Sequence, residues 1–481
     1  MATATGSPGP NLRSFPPSPR RRLPDFLSKS TSSGFRFRDK AISCAAEKPR
    51  IGEPLWKPLP LSSSGSATHS FDVVVIGAGI IGLTIARQFL LESDLSVAVV
   101  DAATPCAGAT GAGQGYIWMM PKTPGTDIWE LSMRSQRLWT LLAESIQHQG
   151  GNPLEVMGWM KTGSLLIGRS LDESVILKKR VSQLSEAGLR AEFLSSSDLL
   201  LMEPALMVVK EGSAAFLPDD SQLDAKRAVA FILECNRNFN PKGQYVEFYN
   251  SSVIGLLRSG DTKEIQAIQT PHSTLYSRKA IVVAAGCWTG SVMNDLLRGS
   301  DITLNVPVKP RKGHLLVLEN FDSLKLNHGL MELGYVARQG GTTDSEYHDK
   351  TLSISMTATV DSTGNLLLGS SRQFAGFNTE VDDPVIDLIW RRAGEFFPSL
   401  RGASLTDLCK SQKVRVGLRP YMLDRKPVIG PVPGLSNVFV AAGHEGEGLS
   451  LALGTAELVT DMVLGNPTKV DSAPFSAQGR F

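Results

Sequence analysis

Residues 71–82, reading Phe-Asp-Val-Val-Val-Ile-Gly-Ala-Gly-Ile-Ile-Gly, constrain this chain more than any other stretch. A buried strand runs straight into three spaced glycines, Gly77, Gly79 and Gly82, with Ile80 and Ile81 between the last two. A helical pattern follows over 83–91, with Ile85, Phe89 and Leu90 as inward positions. Gly77 suits the tight turn, Gly79 lets backbone approach a pyrophosphate, and Gly82 lets the helix pack closely on the strand. The unpaired amides of the helix N-terminus then face the phosphates. A second apolar strand over 95–100 ends at Asp101. That is about 20 residues after the glycines, the interval at which an acid meets an adenosine ribose. Strand, glycines, helix, strand and acid in this order predict a dinucleotide site. NAD and FAD both satisfy it at this point, and an ordinary glycine-rich strand–helix turn is the bland alternative.

A chain of 481 residues exceeds one typical domain, so two lobes are expected, with ample core for a cofactor. Its formal net charge of +2 is unevenly spread. Residues 1–44 hold eight Arg or Lys against Asp25 and Asp39, a balance of +6, which leaves −4 for the rest. Such a body has no basic footprint for nucleic acid. The five cysteines (Cys44, Cys106, Cys235, Cys287 and Cys409) are scattered without a CxxC. They suit free thiols in a reducing compartment, with no disulfide framework and no metal site. No apolar run reaches the ~18 residues that would span a bilayer.

Residues 1–44, rich in Ser, Pro and Arg, read as a transit peptide, and 45–70 as a linker. The Met-Ala-Thr start and the lack of an Arg-rich amphipathic helix favour a plastid (stroma) over a mitochondrion, with processing before Ala45 in Ile42-Ser43-Cys44-Ala45. A disordered tail with no address is the alternative.

After Asp101 the loop 107–115 is built of small residues, among them Ala109, Thr110, Gln114 and Gly115. Its amides and the Thr110 hydroxyl can face an anion while ligand rings pass close. Tyr116, Trp118, Met119 and Met120 form an apolar patch, either pocket wall or core. Helical spacing is expected over 127–148, β-like structure over 153–170, and helices over 172–187, 196–202 and 224–236. Strands follow at 245–257, 264–270 and 280–285, the last running into Ala285-Gly286-Cys287-Trp288. Alternating strands at 303–308, 313–318, 352–357 and 365–369 suit an antiparallel sheet with one wet face. Residues 339–350 read as a surface loop and 385–397 as a helix. A last strand, 438–442, enters Gly443-His444-Glu445-Gly446-Glu447-Gly448 and then a helix over 449–464. This second glycine turn again places a helix N-terminus at a ligand, where the dipole favours negative charge. Two such turns, far apart in sequence, serve one long ligand such as FAD if the chain ends meet. The adenosine would lie at 77–101 and the flavin at 443–448.

Taken together, residues 71–466 resemble the D-amino-acid oxidase, glycine oxidase and sarcosine oxidase superfamily of FAD enzymes. The motifs that carry the resemblance are Gly77-x-Gly79-x-x-Gly82 with Asp101, Gly108-Ala109-Thr110-Gly111, and the run 282–288 ending in Trp288. Gly417-x-Arg419-Pro420 with Asp424 and Gly430, and Gly443-His444-x-Gly446, complete them. Arg311-Lys312-Gly313-His314 and Gly369-Ser370-Ser371-Arg372 resemble the bacterial amine- and opine-oxidising branch. The resemblance implies an α/β Rossmann-like FAD lobe (71–120, 212–300 and 412–466) with an inserted antiparallel-sheet substrate lobe (121–211 and 301–411), then a tail at 467–481. It implies FAD contacting Gly77, Gly79, Ile80, Ile81, Gly82, Asp101, Ala109, Thr110, Gln114, Gly115, Val253, Ala285, Gly286, Trp288, Gly417, Gly443, His444, Gly446 and Gly448. Sarcosine oxidases attach flavin through a cysteine near the segment matching Arg419; none lies there, Cys409 being the closest, so noncovalent FAD is expected. It also implies Arg419 as the catalytic-site group that holds a substrate carboxylate. The competing reading makes Arg419 a structural partner of Asp424. The substrate is then an amine or amino acid whose C–N bond is oxidised, the acceptor being oxygen or another carrier. The strand bearing the oxygen-activating lysine of sarcosine oxidases matches 365–369, which has none, so Lys309, Lys312 or His444 are the substitutes to consider. A hydroxy-acid dehydrogenase and a non-enzymatic flavoprotein assembly factor are the alternatives.

Overall fold

The computed structural model describes residues 67–258, 264–297, 304–321, 324–340, 352–402, 404–405 and 411–480. Two eight-stranded sheets carry it. The first grows from strand Ala67–Ile76, whose Val73, Val74 and Val75 are wholly buried. β-branched residues favour extended backbone, and a strand covered on both faces needs no polar alternation. Ser273–Val283 pairs with it in parallel on one side and Val97–Val100 on the other. Val438–Ala442 and Tyr245–Phe248 extend the parallel core outward, and Val428–Pro431 closes one edge antiparallel. Helices Ile80–Glu92 and Gly448–Leu464 pack together on one face, sharing a core that includes Leu83, Ile85, Phe89, Leu451 and Leu458. Truncating Phe89 there to Ala would cost about 3–5 kcal/mol.

The second sheet runs in the order Gln412–Tyr421, Lys309–Leu318, Leu366–Arg372, Ser353–Val360, Gly329–Glu332, Ser164–Gly168, Ser213–Leu217 and Glu192–Leu194. It is antiparallel except where Gly329–Glu332 meets Ser164–Gly168. Helix Asp383–Gly394 covers one face with Val385, Ile386, Ile389 and Trp390.

Most expected elements are present, with several corrections. Residues 153–170 are not one β region. Asn152 accepts from the Leu154 amide and Pro153 starts a short helix, Pro153–Met157, leaving only Ser164–Gly168 as strand. The stretch 245–257 splits into Tyr245–Phe248 and Gly255–Arg258, because the chain turns at Asn250 (φ +52°) to bond the Asp101 segment. Residues 304–308 are irregular, the strand being Lys309–Leu318. Gln339 and Gly340 end a helix, Leu333–Gly340, and the remainder of the expected 339–350 loop lies outside the described residues.

The lobe boundaries also move. Ser213–Leu217 and Gln412–Tyr421, expected in the nucleotide lobe, belong to the second sheet, the latter paired along the whole of Lys309–Leu318. Helix Trp129–His148, expected in the substrate lobe, packs on the nucleotide-lobe helices, where Trp139 Nε1 donates to Leu449 O at 3.0 Å. Ala67–Ser70 belong to the first strand rather than to a linker. The tail is docked: Phe475 is 1% exposed, within the nucleotide-lobe core. The expected transit peptide lies outside the described residues. Among the described residues no helix is long and apolar enough to cross a membrane, and no group of three His, Cys, Asp or Glu could hold a metal.

Candidate active site

At the first glycine turn, Gly77 has φ +114°, and a Cβ there would overlap Ala284 O on the neighbouring strand end. A Cβ on Gly82 would overlap Gly77 O, so helix and turn can close only with glycine. The Ala78 amide donates to Asp101 Oδ2 at 2.6 Å, and Oδ1 accepts from Ala103 N at 2.7 Å. Asp101 thus stands at the turn. The Ile80 amide at the helix start donates to Thr110 Oγ1 at 3.2 Å, and Gly79 lies against the same hydroxyl. The segment holding Val253 is drawn in by Ser251 N, which donates to Asp101 O at 2.8 Å. Gly77, Gly79, Ile80, Ile81, Gly82, Asp101, Thr110 and Val253 therefore gather at one end of the parallel strands, the end where open α/β sheets take ligands.

The loop from Ala109 leads across the gap between the sheets. A Cβ on Gly417 would come within 2.8 Å of Ala112 Cβ and 3.5 Å of Ala109 Cα, so the second-sheet edge lies flat on this loop. Gly115 has φ +97° and its carbonyl accepts from Leu223 N at 3.0 Å. The Gln114 side chain faces the second sheet. Its amide is spent on the second sheet, accepting from Thr357 Oγ1 at 3.0 Å and donating to Thr359 Oγ1 and Leu367 O. Both ends of a short polar side chain are satisfied there, which makes Gln114 a clamp between lobes. Ala285, Gly286 and Trp288 form the turn after Ser273–Val283, with the Trp288 ring over Gly108 and stacked on Phe377.

The second glycine turn brings Gly443, His444, Gly446 and Gly448 to the N-terminus of helix Gly448–Leu464. His444 is buried and its Nε2 lies 3.0 Å from Thr455 Oγ1. Burial pushes its pKa down to about 3. It is a neutral turn-fixing group, the bland role weighed for it. Lys312, on the opposite face of its strand from Arg311 and Gly313, donates through Nζ to Asn378 Oδ1 at 2.6 Å.

Arg419 does not pair with Asp424. The Asp424 carboxylate is taken by Arg480, Nε to Oδ2 at 2.8 Å, and no carboxylate among the described residues pairs with Arg419. Instead Arg419 Nη1 donates to Ser371 O at 2.9 Å. Its guanidinium lies across Gly313, where any Cβ would overlap it, and against Gly446, 3.7 Å from a Cβ placed there. Arg311 sits directly opposite Arg419 in the strand register. Like charges so placed repel, and Glu445 answers them. Burial raises its pKa, but Arg311, Arg419 and Arg372 outweigh that and hold the carboxyl below its usual range. Arg311 is its ion-pair partner at 3.4 Å, and burial lowers the Arg311 pKa from its usual value. Glu445 has φ +48°, a conformation uncommon for a non-glycine residue and one that marks a constrained turn. Tyr335, whose ring carries Arg372, completes the group. Glu445 and Tyr335 were not singled out from sequence as site residues. Nothing local marks them, since the group is drawn from five separated elements.

The residues present fit a flavin dinucleotide. One end offers a cradle that a Cβ would fill, with amides and an acid. The other end, reached along one continuous small-residue loop, is a second amide-lined turn beside an open cation. A site of this kind, at the strand ends of a parallel sheet with a second sheet roofing it, defines an FAD-dependent oxidoreductase.

Residues 72–462 match the family model described as FAD dependent oxidoreductase, and the chain belongs to this DAO family. Glycine oxidase of Geobacillus kaustophilus is 24% identical over 412 residues, covering 85% of this chain and 97% of that protein. D-amino acid dehydrogenase of Vibrio cholerae is 25% identical over 440 residues, covering 82% and 94%. The solved glycine oxidase from Geobacillus kaustophilus superposes with a TM-score of 0.70 at 22% identity, covering 86% of this chain and 100% of that one. The α/β two-lobe architecture and the FAD cofactor expected from the sequence stand with these findings.

Proposed function

We propose that the protein oxidises the C–N bond of an amino acid or secondary amine, using noncovalently bound FAD. The single observation that carries this is the half-buried Arg419 guanidinium, set between two glycines beside the second turn with no carboxylate partner among the described residues, while Asp424 is engaged elsewhere. The names of the relatives, a glycine oxidase and a D-amino acid dehydrogenase, support the same class.

With its adenosine at 77–101 and its flavin at 443–448, FAD would supply the hydride acceptor. The chain supplies orientation. Arg419, anchored through Nη1 on Ser371 O, offers its remaining donors to the substrate carboxylate as a charge-assisted fork. Fixing that carboxylate sets the position of the carbon that loses hydride, so chemistry becomes mostly placement. No side-chain base is needed if the amine arrives neutral, and His444, held neutral on Thr455, is not one. The N-terminus of helix Gly448–Leu464 stabilises negative charge that develops at the turn. Burial raises Cys106 and Cys287 to about 12 and also raises Cys235, so none of the three is a ready thiolate for flavin attachment. Cys409 lies outside the described residues.

An acceptor other than oxygen is the second reading, favoured by one observation. Lys312 and His444, two of the three residues considered for an oxygen-activating cation, are engaged with Asn378 and Thr455. Purified yellow protein tested anaerobically against amines and hydroxy acids decides the chemistry. Bleaching by an amine that reverses only slowly in air is the expected result. Bleaching by a hydroxy acid but by no amine overturns the reading. A plastid address in residues 1–44 completes the proposal. A fluorescent protein carrying that segment should enter plastids, and mitochondrial or cytosolic signal would refute it.

A further inference from the structure

Arg372 ends strand Leu366–Arg372 and is 3% exposed, yet its Nε and Nη2 find no hydrogen-bond partner among the described residues. No carboxylate among the described residues pairs with it. Its guanidinium lies over the Tyr335 ring, 3.9 Å from the centroid. A ring face offsets part of a buried charge but accepts none of the N–H groups that radiate in the guanidinium plane. Buried donors left unmade are costly, and an unpaired buried cation more so. Such a group calls for an acceptor that arrives from outside.

The neighbours place that acceptor. Arg311, Arg372 and Arg419 converge on one carboxylate, Glu445, which leaves two positive charges unanswered among the described residues. Arg419 reaches across Gly313 of the intervening strand to donate to the carbonyl of Ser371, the residue just before Arg372, so its guanidinium ends beside the strand that bears Arg372. A Cβ on Gly446 would lie 3.7 Å from Arg419 Nε and 3.9 Å from the Tyr335 hydroxyl. The carboxylate fork and the ring that carries Arg372 thus border one space.

We propose that Arg372 holds a second anionic group of the substrate, so that the site takes an amino acid or secondary amine bearing two carboxylates, one on Arg419 and one on Arg372. The proposal rests on the C–N oxidation reading and adds the charge of the substrate to it. A monocarboxylate leaves the Arg372 donors unpaired, and a site built to hydrogen-bond a group discriminates strongly against analogues that lack it.

Binding tests this apart from turnover. The FAD-loaded full chain is titrated with non-oxidisable malonate, succinate and glutarate, and with acetate, propionate and butyrate, following the flavin spectrum. At least one diacid should bind about 10- to 100-fold tighter than its monoacid counterpart, the worth of one charge-assisted contact. Arg372→Met, with flavin content and melting temperature checked, should collapse that ratio toward one, and Arg372→Lys should restore part of it. Equal affinity for both series in the wild type overturns the proposal, as does an Arg372→Met chain that folds, holds flavin and keeps the ratio. A second arm scores amine substrates the same way, mono- against dicarboxylic, by the rate of anaerobic bleaching. Diacid-selective binding without bleaching by any amine sinks the C–N reading and leaves the dicarboxylate site standing. Amine bleaching without diacid preference does the reverse.

Discussion

Arg419 and Asp424 are five residues apart and of opposite charge, yet they do not meet. Asp424 is half of a surface pair with Arg480, at side-chain exposures of 38% and 15%. Exposed pairs of this kind contribute about 0.2–1 kcal/mol. Asp424→Asn should therefore cost under about 1 kcal/mol in urea unfolding and leave KM unchanged. Arg419→Ala should raise KM about 10- to 100-fold with flavin retained, since it removes a charge-assisted contact. An unmoved KM would refute the role given to Arg419. His444 makes a prediction of a different sort. Its ordinary pKa is near 6.5, and burial in the fold brings it to about 3. Above pH 6.5 both states are neutral and nothing is lost. Between about 6.5 and 3 the unfolded chain takes up a proton that the folded chain refuses. This contribution to stability therefore falls as pH falls, by about 1.4 kcal/mol per pH unit. His444→Gln keeps an acceptor for Thr455 and should flatten the urea-unfolding profile between pH 6.5 and 5. An identical slope in both proteins would mean that the ring already titrates normally in the fold.

At the scale of elements, the turn between strand Ala67–Ile76 and helix Ile80–Glu92 tolerates no side chain at Gly82. Gly82→Ala should yield protein depleted of flavin, read as the ratio of 450 to 280 nm absorbance, with the second sheet intact by circular dichroism. This turn was legible from sequence because everything that defines it is local: strand, glycines, helix and acid follow one another. Ile85, Phe89 and Leu90, read as inward from spacing alone, are all buried. Strand Val438–Ala442 was found at its true bounds for the same reason. Gln412–Tyr421 shows where such reading stops. It was read only as a glycine–arginine signature and not as a strand, and its pairing with Lys309–Leu318 is decided about a hundred residues away. The arginine cluster was hidden likewise. Arg311 and Arg372 sat in noticed motifs, but their convergence on Glu445 depends on register across three strands and a turn. The short helix Pro153–Met157 was missed for a smaller reason, its Asn152-Pro153 start signal being outweighed by neighbouring apolar residues.

At the scale of the whole molecule, the C-terminal stretch is structural rather than a loose tail. Phe475 is buried against the nucleotide-lobe core and Arg480 donates to the carbonyls of Pro427 and Lys426. Phe475→Ala should cost about 3–5 kcal/mol, seen as a lowered melting temperature that excess FAD partly restores by mass action. A variant that melts like the parent would place that ring outside the cooperative core. The docking belongs to a larger arrangement, since helix Gly448–Leu464 rests on helix Ile80–Glu92 and strand Val438–Ala442 lies two places from Ala67–Ile76. A nascent chain leaves the ribosome N-terminus first. Until Gly448–Leu464 is made, the apolar side of Ile80–Glu92 waits without its cover. Only when that helix emerges can the lobe close, so flavin capture comes late in synthesis. A chain that stops before Gly448 would be an aggregation-prone apoprotein rather than a weakened enzyme.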